Sequence, residues 1–189
     1  MRKILILSAA LCLTACATAS QPGAMVPEVT NANIISSGSK LNQSVSMGTV
    51  DGGKDTNPLW TSQVSNEDFA QALEQSLAAH AMLATDNATY RLDAEMVELK
   101  QPFAGLDLTV TSTVKYTLTN VDTNIVVYEN TVEEAYAAKF GDALVAAKRL
   151  QLANEGSIKS NISALLSDII AKVDGASSPL ASLTTLSSG

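Results

Sequence analysis

Four consecutive residues near the N-terminus indicate a chemical reaction most clearly: Leu13, Thr14, Ala15 and Cys16. They end an apolar run over residues 4–13, which follows basic residues at positions 2 and 3. A positive start, a short apolar run and small residues before a cleavage point are typical of a secretory signal peptide. The run is also shorter than the roughly 20 residues that a membrane-spanning helix needs. We therefore predict a signal peptide that ends beside a cysteine thiol, a group that can be covalently modified.

The tetrapeptide resembles the lipobox of bacterial lipoproteins. The resemblance implies cleavage between Ala15 and Cys16, attachment of a diacylglyceryl group to the Cys16 sulfur, and acylation of the new N-terminus, for example with palmitate. Two or three acyl chains hold a protein firmly on a bilayer, since each buried methylene contributes about 0.8 kcal/mol. Because Ala17 rather than Asp follows the cysteine, the resemblance favours the outer membrane, with the domain facing the periplasm. The alternative is an ordinary secreted protein cut at these small residues.

Cysteine content and charge limit the possible chemistry. The two cysteines are Cys12, inside the predicted signal, and Cys16. A mature acylated chain would therefore have no disulfide, no thiolate metal site and no cysteine nucleophile. Without the signal, ten basic residues face 19 acidic ones. Such an acidic surface repels phosphate backbones, which argues against nucleic acid as a partner.

Composition divides the chain into four parts. Residues 1–15 are the predicted signal peptide. Residues 16–40 are predicted to form the lipidated N-terminus and a flexible tether, since they are rich in Ser, Thr, Asn and Pro. Residues 41–174 are the predicted domain, and residues 175–189 a disordered tail.

Local patterns inside the domain predict four strands. Residues 41–50 have strand character, and three later segments alternate apolar and polar side chains. The alternation is most regular over residues 108–119, where Thr occupies most of the second face. A strict period of two predicts a sheet with one buried face. The short connections between the last three strands predict an antiparallel meander.

Two segments have helical periodicity. Ser65 is the expected N-cap of the first helix, which should end near Ala84. Asp142 is the expected cap of the second helix, which should reach Val173. Gly156 inside it favours a kink or a break. The resulting fold class is α+β: a two-layer sandwich with a mixed or antiparallel four-stranded sheet, two helices on one face, and the order β-α-β-β-β-α.

This element order behind a lipobox is similar to that of small Gram-negative outer-membrane lipoproteins, including the lipopolysaccharide-assembly lipoprotein and auxiliary lipoproteins of lipid transport. Residues 101–111 and 149–162 resemble a family of alphaproteobacterial lipoproteins of unknown role. The resemblance covers most of residues 60–173 and carries no catalytic residue. Some such sequences carry an acyltransferase name from lipid A synthesis, but that enzyme class has hexapeptide repeats, and this sequence has none.

Candidate catalytic groups are sparse. His80 is the only histidine, and no G-x-S-x-G motif is present. Asp93 and Glu95 share a strand face with a basic residue, as on a solvated surface. Neighbouring carboxylates at positions 133 and 134 point to opposite faces of a strand. The loop aromatic Phe103 could cover the core or anchor a partner, and we favour the core.

These observations predict a non-enzymatic lipoprotein, anchored at Cys16, that scaffolds or assists envelope assembly or lipid transport. We expect no metal, no cofactor and no catalytic residue. The expected partners are the membrane, through the lipid, and envelope proteins; the oligomeric state stays open. The alternatives are an envelope hydrolase that uses His80 or a carboxylate pair between strands, and a lipid carrier with an apolar cavity between sheet and helices.

Overall fold

A computed structural model describes residues 17–30, 33–57 and 61–175. The predicted signal peptide, the junction of Ala15 and Cys16, and the tail from residue 176 onward lie outside the described residues. The strands and helices are β1 (Val45–Asp51), α1 (Asn66–Ala79), β2 (Tyr90–Lys100), β3 (Leu108–Asn120), β4 (Val126–Ala138) and α2 (Ala146–Ile169). The predicted order is confirmed. In this part of the chain, no helix has the length and hydropathy to cross a membrane.

The four strands form one mixed sheet in the order β1-β2-β3-β4. β1 is parallel to β2, and helix α1 connects them, whereas β2, β3 and β4 are antiparallel neighbours. Strand β3 follows its sequence pattern closely: Val110, Val114, Tyr116 and Leu118 are buried, while most of the intervening threonines are partly exposed. Both helices cover the apolar face of the sheet, as predicted.

Helix α1 begins as predicted and ends earlier. The Ser65 hydroxyl accepts a hydrogen bond from the Asp68 amide at 3.0 Å, which satisfies one of the free donors of the first turn. The helix stops at Ala79 because Ala81 adopts a φ of 59° and the Met82 amide donates to the Leu77 carbonyl at 2.8 Å. The predicted end near residue 84 was therefore wrong by about one turn.

Helix α2 begins later than predicted. Asp142 ends a short 3-10 turn, where its carboxylate accepts from the Lys139 amide at 2.7 Å, and it does not cap α2. The helix starts four residues later, at Ala146, and is continuous through Gly156. The break that was the alternative to a kink at Gly156 is therefore absent. A π-helical turn over Ile170–Asp174 follows the helix.

The segment predicted as a flexible tether packs along α2 instead. Its contacts keep the same order in both partners: Thr18 with Gln151, Gln21 with Glu155, Glu28 with Lys159, and Ser39 with Asp174. A 3-10 turn over Pro22–Met25 contacts both helices, and Met25 is fully buried. The prediction was wrong because the polar groups of this N-terminal segment (residues 17–30 and 33–40) bond to α2 rather than to water alone.

Candidate functional site

The candidate site is the point where the chain enters the domain. Ala15 and Cys16, the predicted cleavage and lipidation residues, precede the first described residue, Ala17. Ala17 is buried. Next to it, the Thr18 hydroxyl donates to the Gln151 side-chain oxygen at 2.6 Å, and the Thr18 carbonyl accepts from the Ser62 hydroxyl at 2.7 Å. The domain therefore begins within one residue of the predicted lipid attachment point.

Two buried polar residues of α2 continue this attachment. The Gln151 amide donates to the Ala19 carbonyl at 2.9 Å and to the Glu155 carboxylate at 2.8 Å. The same Glu155 oxygen accepts from the Gln21 backbone amide at 2.9 Å. Side chains four residues apart lie on one face of a helix, so Gln151 and Glu155 form one polar strip. Sequence reasoning missed this strip, although its spacing is visible within residues 149–162.

A second set of polar contacts connects the chain entry to the β2–β3 loop. The Gln101 amide donates to the Ser62 carbonyl and to the Asn154 side-chain oxygen, both at 2.8 Å. Asn154 is fully buried and also donates to the Ser62 carbonyl, at 3.0 Å. The Ser62 hydroxyl in turn donates to the Thr18 carbonyl. The N-terminal segment, α2 and the β2–β3 loop therefore meet at one end of the sheet.

The connection from β4 to α2 reaches the same end. The Asp107 carboxylate accepts from the Phe140 amide at 2.9 Å and lies 3.3 Å from the Lys139 ammonium. The Phe140 hydrogen bond and then the Lys139 contact lower the pKa of Asp107. The Arg149 guanidinium lies 5.1 Å from the Phe140 ring centroid and donates to the Leu144 carbonyl. These contacts hold the two loops side by side.

Several large apolar side chains on these loops face solvent. Phe103 is 106% exposed, so the expectation that it covers the core was wrong. Leu106 is 73% exposed and Leu144 81% exposed. We call this surface the apolar end, and its members are Phe103, Leu106, Phe140, Leu144 and Val145.

His80 lies elsewhere, at the end of α1. The residue is fully buried, and its Nδ1 lies 2.7 Å from the Ser76 carbonyl oxygen. Because a carbonyl oxygen can only accept, Nδ1 donates this hydrogen bond; within the described residues, Nε2 is buried without a hydrogen-bond partner. The His80 side chain is therefore packed inside the domain, away from solvent.

The carboxylates considered for catalysis lie in open polar surroundings. Asp93 accepts from Arg91 at 3.2 Å, within a groove of about 500 Å³ on the outer face of the sheet. A groove of about 580 Å³ between α2 and the N-terminal segment contains Glu134 and Lys159. Across the described ranges, no three His, Cys, Asp or Glu side chains are placed to hold a metal ion.

Solved structures of bacterial proteins share this fold. No family model and no curated protein matches the sequence. A DUF330-family protein from Xanthomonas campestris has the same fold, with a TM-score of 0.59 and 12% identity over 85% of this chain and 99% of that one. The likeness is in the fold.

Two further solved structures are similar. A candidate lipoprotein from Caulobacter crescentus has a TM-score of 0.53 and 14% identity, covering 71% of this chain and 94% of the other. A hypothetical protein from Chlamydia trachomatis has a TM-score of 0.50 and 11% identity, covering 69% and 97%. The match covers nearly the whole length of each of these two proteins, so the likeness extends over their complete folds.

Proposed function

We propose that this protein is a bacterial lipoprotein, acylated at Cys16 and held at the outer membrane with its domain in the periplasm. The observation that carries the proposal is the position of the lipobox-like Leu-Thr-Ala-Cys sequence directly before the buried residue Ala17. A lipid on Cys16 would end where the folded domain begins. The candidate lipoprotein from Caulobacter crescentus, which shares the fold, supports the same assignment.

The test is the replacement Cys16→Ser in the full chain, expressed in a Gram-negative host. Without the sulfur, no diacylglyceryl group can be attached. We expect the natural protein to be recovered from outer-membrane fractions, with a mass that includes fatty acids, and the variant to lose both properties. Intact-protein mass spectrometry and membrane fractionation measure these outcomes.

The matched control is Cys12→Ser, which changes the other cysteine, four residues earlier in the predicted signal. This variant should be acylated and retained like the natural protein. A natural mature chain that starts at another residue, or that starts at Cys16 without fatty acids, would contradict the proposal.

We further propose a non-catalytic role in envelope assembly or lipid transport. Supporting this role, the single histidine is buried at the end of α1, and the carboxylates considered for catalysis line open grooves. An auxiliary protein of this kind acts by binding. Cross-linking in intact cells, followed by identification of the captured envelope component, tests this part of the proposal. If no envelope component is captured, the role in assembly or transport is contradicted, while the proposed lipid anchor is not.

A further inference from the structure

The apolar end exposes side chains that a soluble domain normally buries. Single exposed apolar residues are ordinary on protein surfaces, whereas a group of them marks a contact site for protein or lipid. Here the exposed Phe103 and Leu106 belong to one loop, and Leu144 belongs to the connection beside it. The hydrogen bond between Asp107 and Phe140 joins the two loops, so the exposed side chains lie on adjacent loops at one end of the sheet.

The predicted anchor leaves the domain at this same end. Ala17 is buried, and its neighbour Thr18 is bonded to Ser62, which is bonded in turn to Gln101. Gln101 lies two residues before Phe103. Consecutive Cα atoms are about 3.8 Å apart, so a lipid on Cys16 joins the protein one peptide unit from Ala17. Little chain remains to let the domain move away from the bilayer.

Exposed lysines also lie at this end of the sheet. Lys100, Lys139 and Lys148 are exposed on or beside the two loops, and Lys54 is exposed on the adjoining connection from β1 to α1. Basic side chains beside exposed apolar groups can contact anionic head groups. Exposed carboxylates accompany them, so these lysines provide individual contacts rather than a net positive charge: Asp51, Asp55, Glu98, Asp107 and Asp142.

The opposite end of the sheet has a different character. Its β3–β4 turn exposes Val121, Ile125 and Val126 by 47–60%, less than the leading residues of the apolar end. Asp86 and Asp122 are the charged residues in its two turns, over residues 84–89 and 120–126. This distal end therefore lacks the predicted anchor, and its two turns contain no basic side chain.

We infer that the apolar end rests on the bilayer that holds the lipid anchor, with Phe103, Leu106 and Leu144 between the head groups and the upper acyl chains. This inference depends on the proposed function, because it takes Cys16 as lipidated. Lipid and loops then form one attachment, in which the acyl chains provide the affinity and the apolar end sets the orientation. The distal turn faces the periplasm.

The sequence offers a direct test. In the acylated mature chain Cys12 is gone and the Cys16 sulfur is blocked, so the substitution Phe103→Cys introduces a single free thiol. A nitroxide attached there reports its surroundings by its accessibility to oxygen and to a water-soluble nickel chelate. The acylated protein is reconstituted into vesicles of phosphatidylethanolamine and phosphatidylglycerol. The matched control is Ile125→Cys, an exposed apolar position at the distal end.

The label at position 103 should become several-fold less accessible to nickel and remain accessible to oxygen, while the label at 125 stays accessible to nickel. Nickel access at 103 equal to that at 125 would overturn the inference. Low access to both reagents at 103 would also overturn it, because it means burial against protein, including a second copy. A protein without fatty-acid mass would overturn the proposed function and, with it, the inference, whereas full fatty-acid mass with a solvent-accessible label refutes the inference alone.

Discussion

At the scale of single residues, buried polar side chains fix the position of α2 on the sheet. The Asn161 amide donates to the carbonyls of Ser112 at 3.1 Å and Val132 at 2.9 Å, and its oxygen accepts from the Tyr116 hydroxyl at 2.8 Å. Burial raises the pKa of the Tyr116 phenol well above its usual value, so the hydroxyl remains a donor. A rotation of the helix would break all three bonds at once, at a cost that apolar packing alone would not impose.

Asp168 makes a comparable connection at the other end of α2. One of its oxygens accepts from the Tyr128 hydroxyl and the Asn130 amide, both at 2.9 Å, and lies 3.1 Å from the Lys172 ammonium. Partial burial raises the pKa of Asp168, but hydrogen bonds from these three side chains outweigh it, and the pKa lies below its usual value. A carboxyl whose pKa is lowered by folding stabilises the folded state only while it is ionised.

The replacement Asp168→Asn should therefore destabilise the protein in a pH-dependent way. Near pH 7 we expect a loss of about 1–2 kcal/mol, the usual range for hydrogen bonds to a charged group that retains some exposure. The difference should persist above the unfolded pKa, about 3.9, and disappear as the pH falls through the folded value. Urea unfolding across this pH range measures it. Asp86→Asn, an exposed residue outside this cluster, should have little effect, and equal losses at all pH values would contradict the assignment.

At the scale of elements, the contact of α2 with β4 depends on a glycine. A Cβ at Gly156 would lie 2.3 Å from the Tyr136 ring, much closer than two carbon atoms can approach. The glycine lets the helix lie against the ring. This contact explains why glycine occupies the position, although glycine inside a helix lowers its stability by about 1 kcal/mol relative to alanine. The sequence suggested a kink at this position because helical propensity does not report what packs against the helix.

Gly156→Ala should destabilise the protein in the natural background and stabilise it when Tyr136 is also replaced by alanine. In the first case the steric conflict exceeds the gain in helical propensity; in the second, the gain of up to about 1 kcal/mol remains. A double-mutant cycle from denaturant unfolding of the four proteins measures the coupling between the two positions. The same effect of Gly156→Ala in both backgrounds would show that the ring does not determine the choice of glycine.

The sheet was easier to predict than the N-terminal segment, for a physical reason. The alternation over β3 and the cap at Ser65 depend on neighbours a few residues apart, so local sequence contains the information. The contact of Thr18 with Gln151 joins residues 133 positions apart. Thr18 and Gln151 are both polar, and polar residues are usually exposed to solvent, so composition alone did not indicate that they contact each other. The exposure of Phe103 could not be predicted for a different reason: an aromatic residue in a loop has no periodicity that shows the direction of its side chain.

At the scale of the whole molecule, the N-terminal segment makes the domain continuous with its predicted anchor. The segment follows α2 along its length, from Thr18 near the helix start to Ser39 at Asp174, beyond the helix end. Its 3-10 turn places Met25 in the core between sheet and helices. A flexible tether would let the domain reach distant partners, whereas with Cys16 lipidated as proposed, this arrangement would keep the domain beside the membrane. Partners would then have to come to the domain near the bilayer surface.

Hydrogen exchange distinguishes the packed segment from a tether. Amides around Gln21 should exchange far more slowly than those of an unstructured peptide, because the Gln21 amide donates to the buried Glu155 carboxylate at 2.9 Å. Glu155→Ala removes that acceptor and should accelerate exchange in the segment while leaving the β3 amides protected. Glu28→Ala, which removes an exposed ion pair with Lys159, is the matched control and should change neither. Exchange at the rates of an unstructured peptide in the natural protein would show that the segment is a flexible tether. The fixed orientation at the membrane, which depends on a short connection to the anchor, would then be contradicted as well.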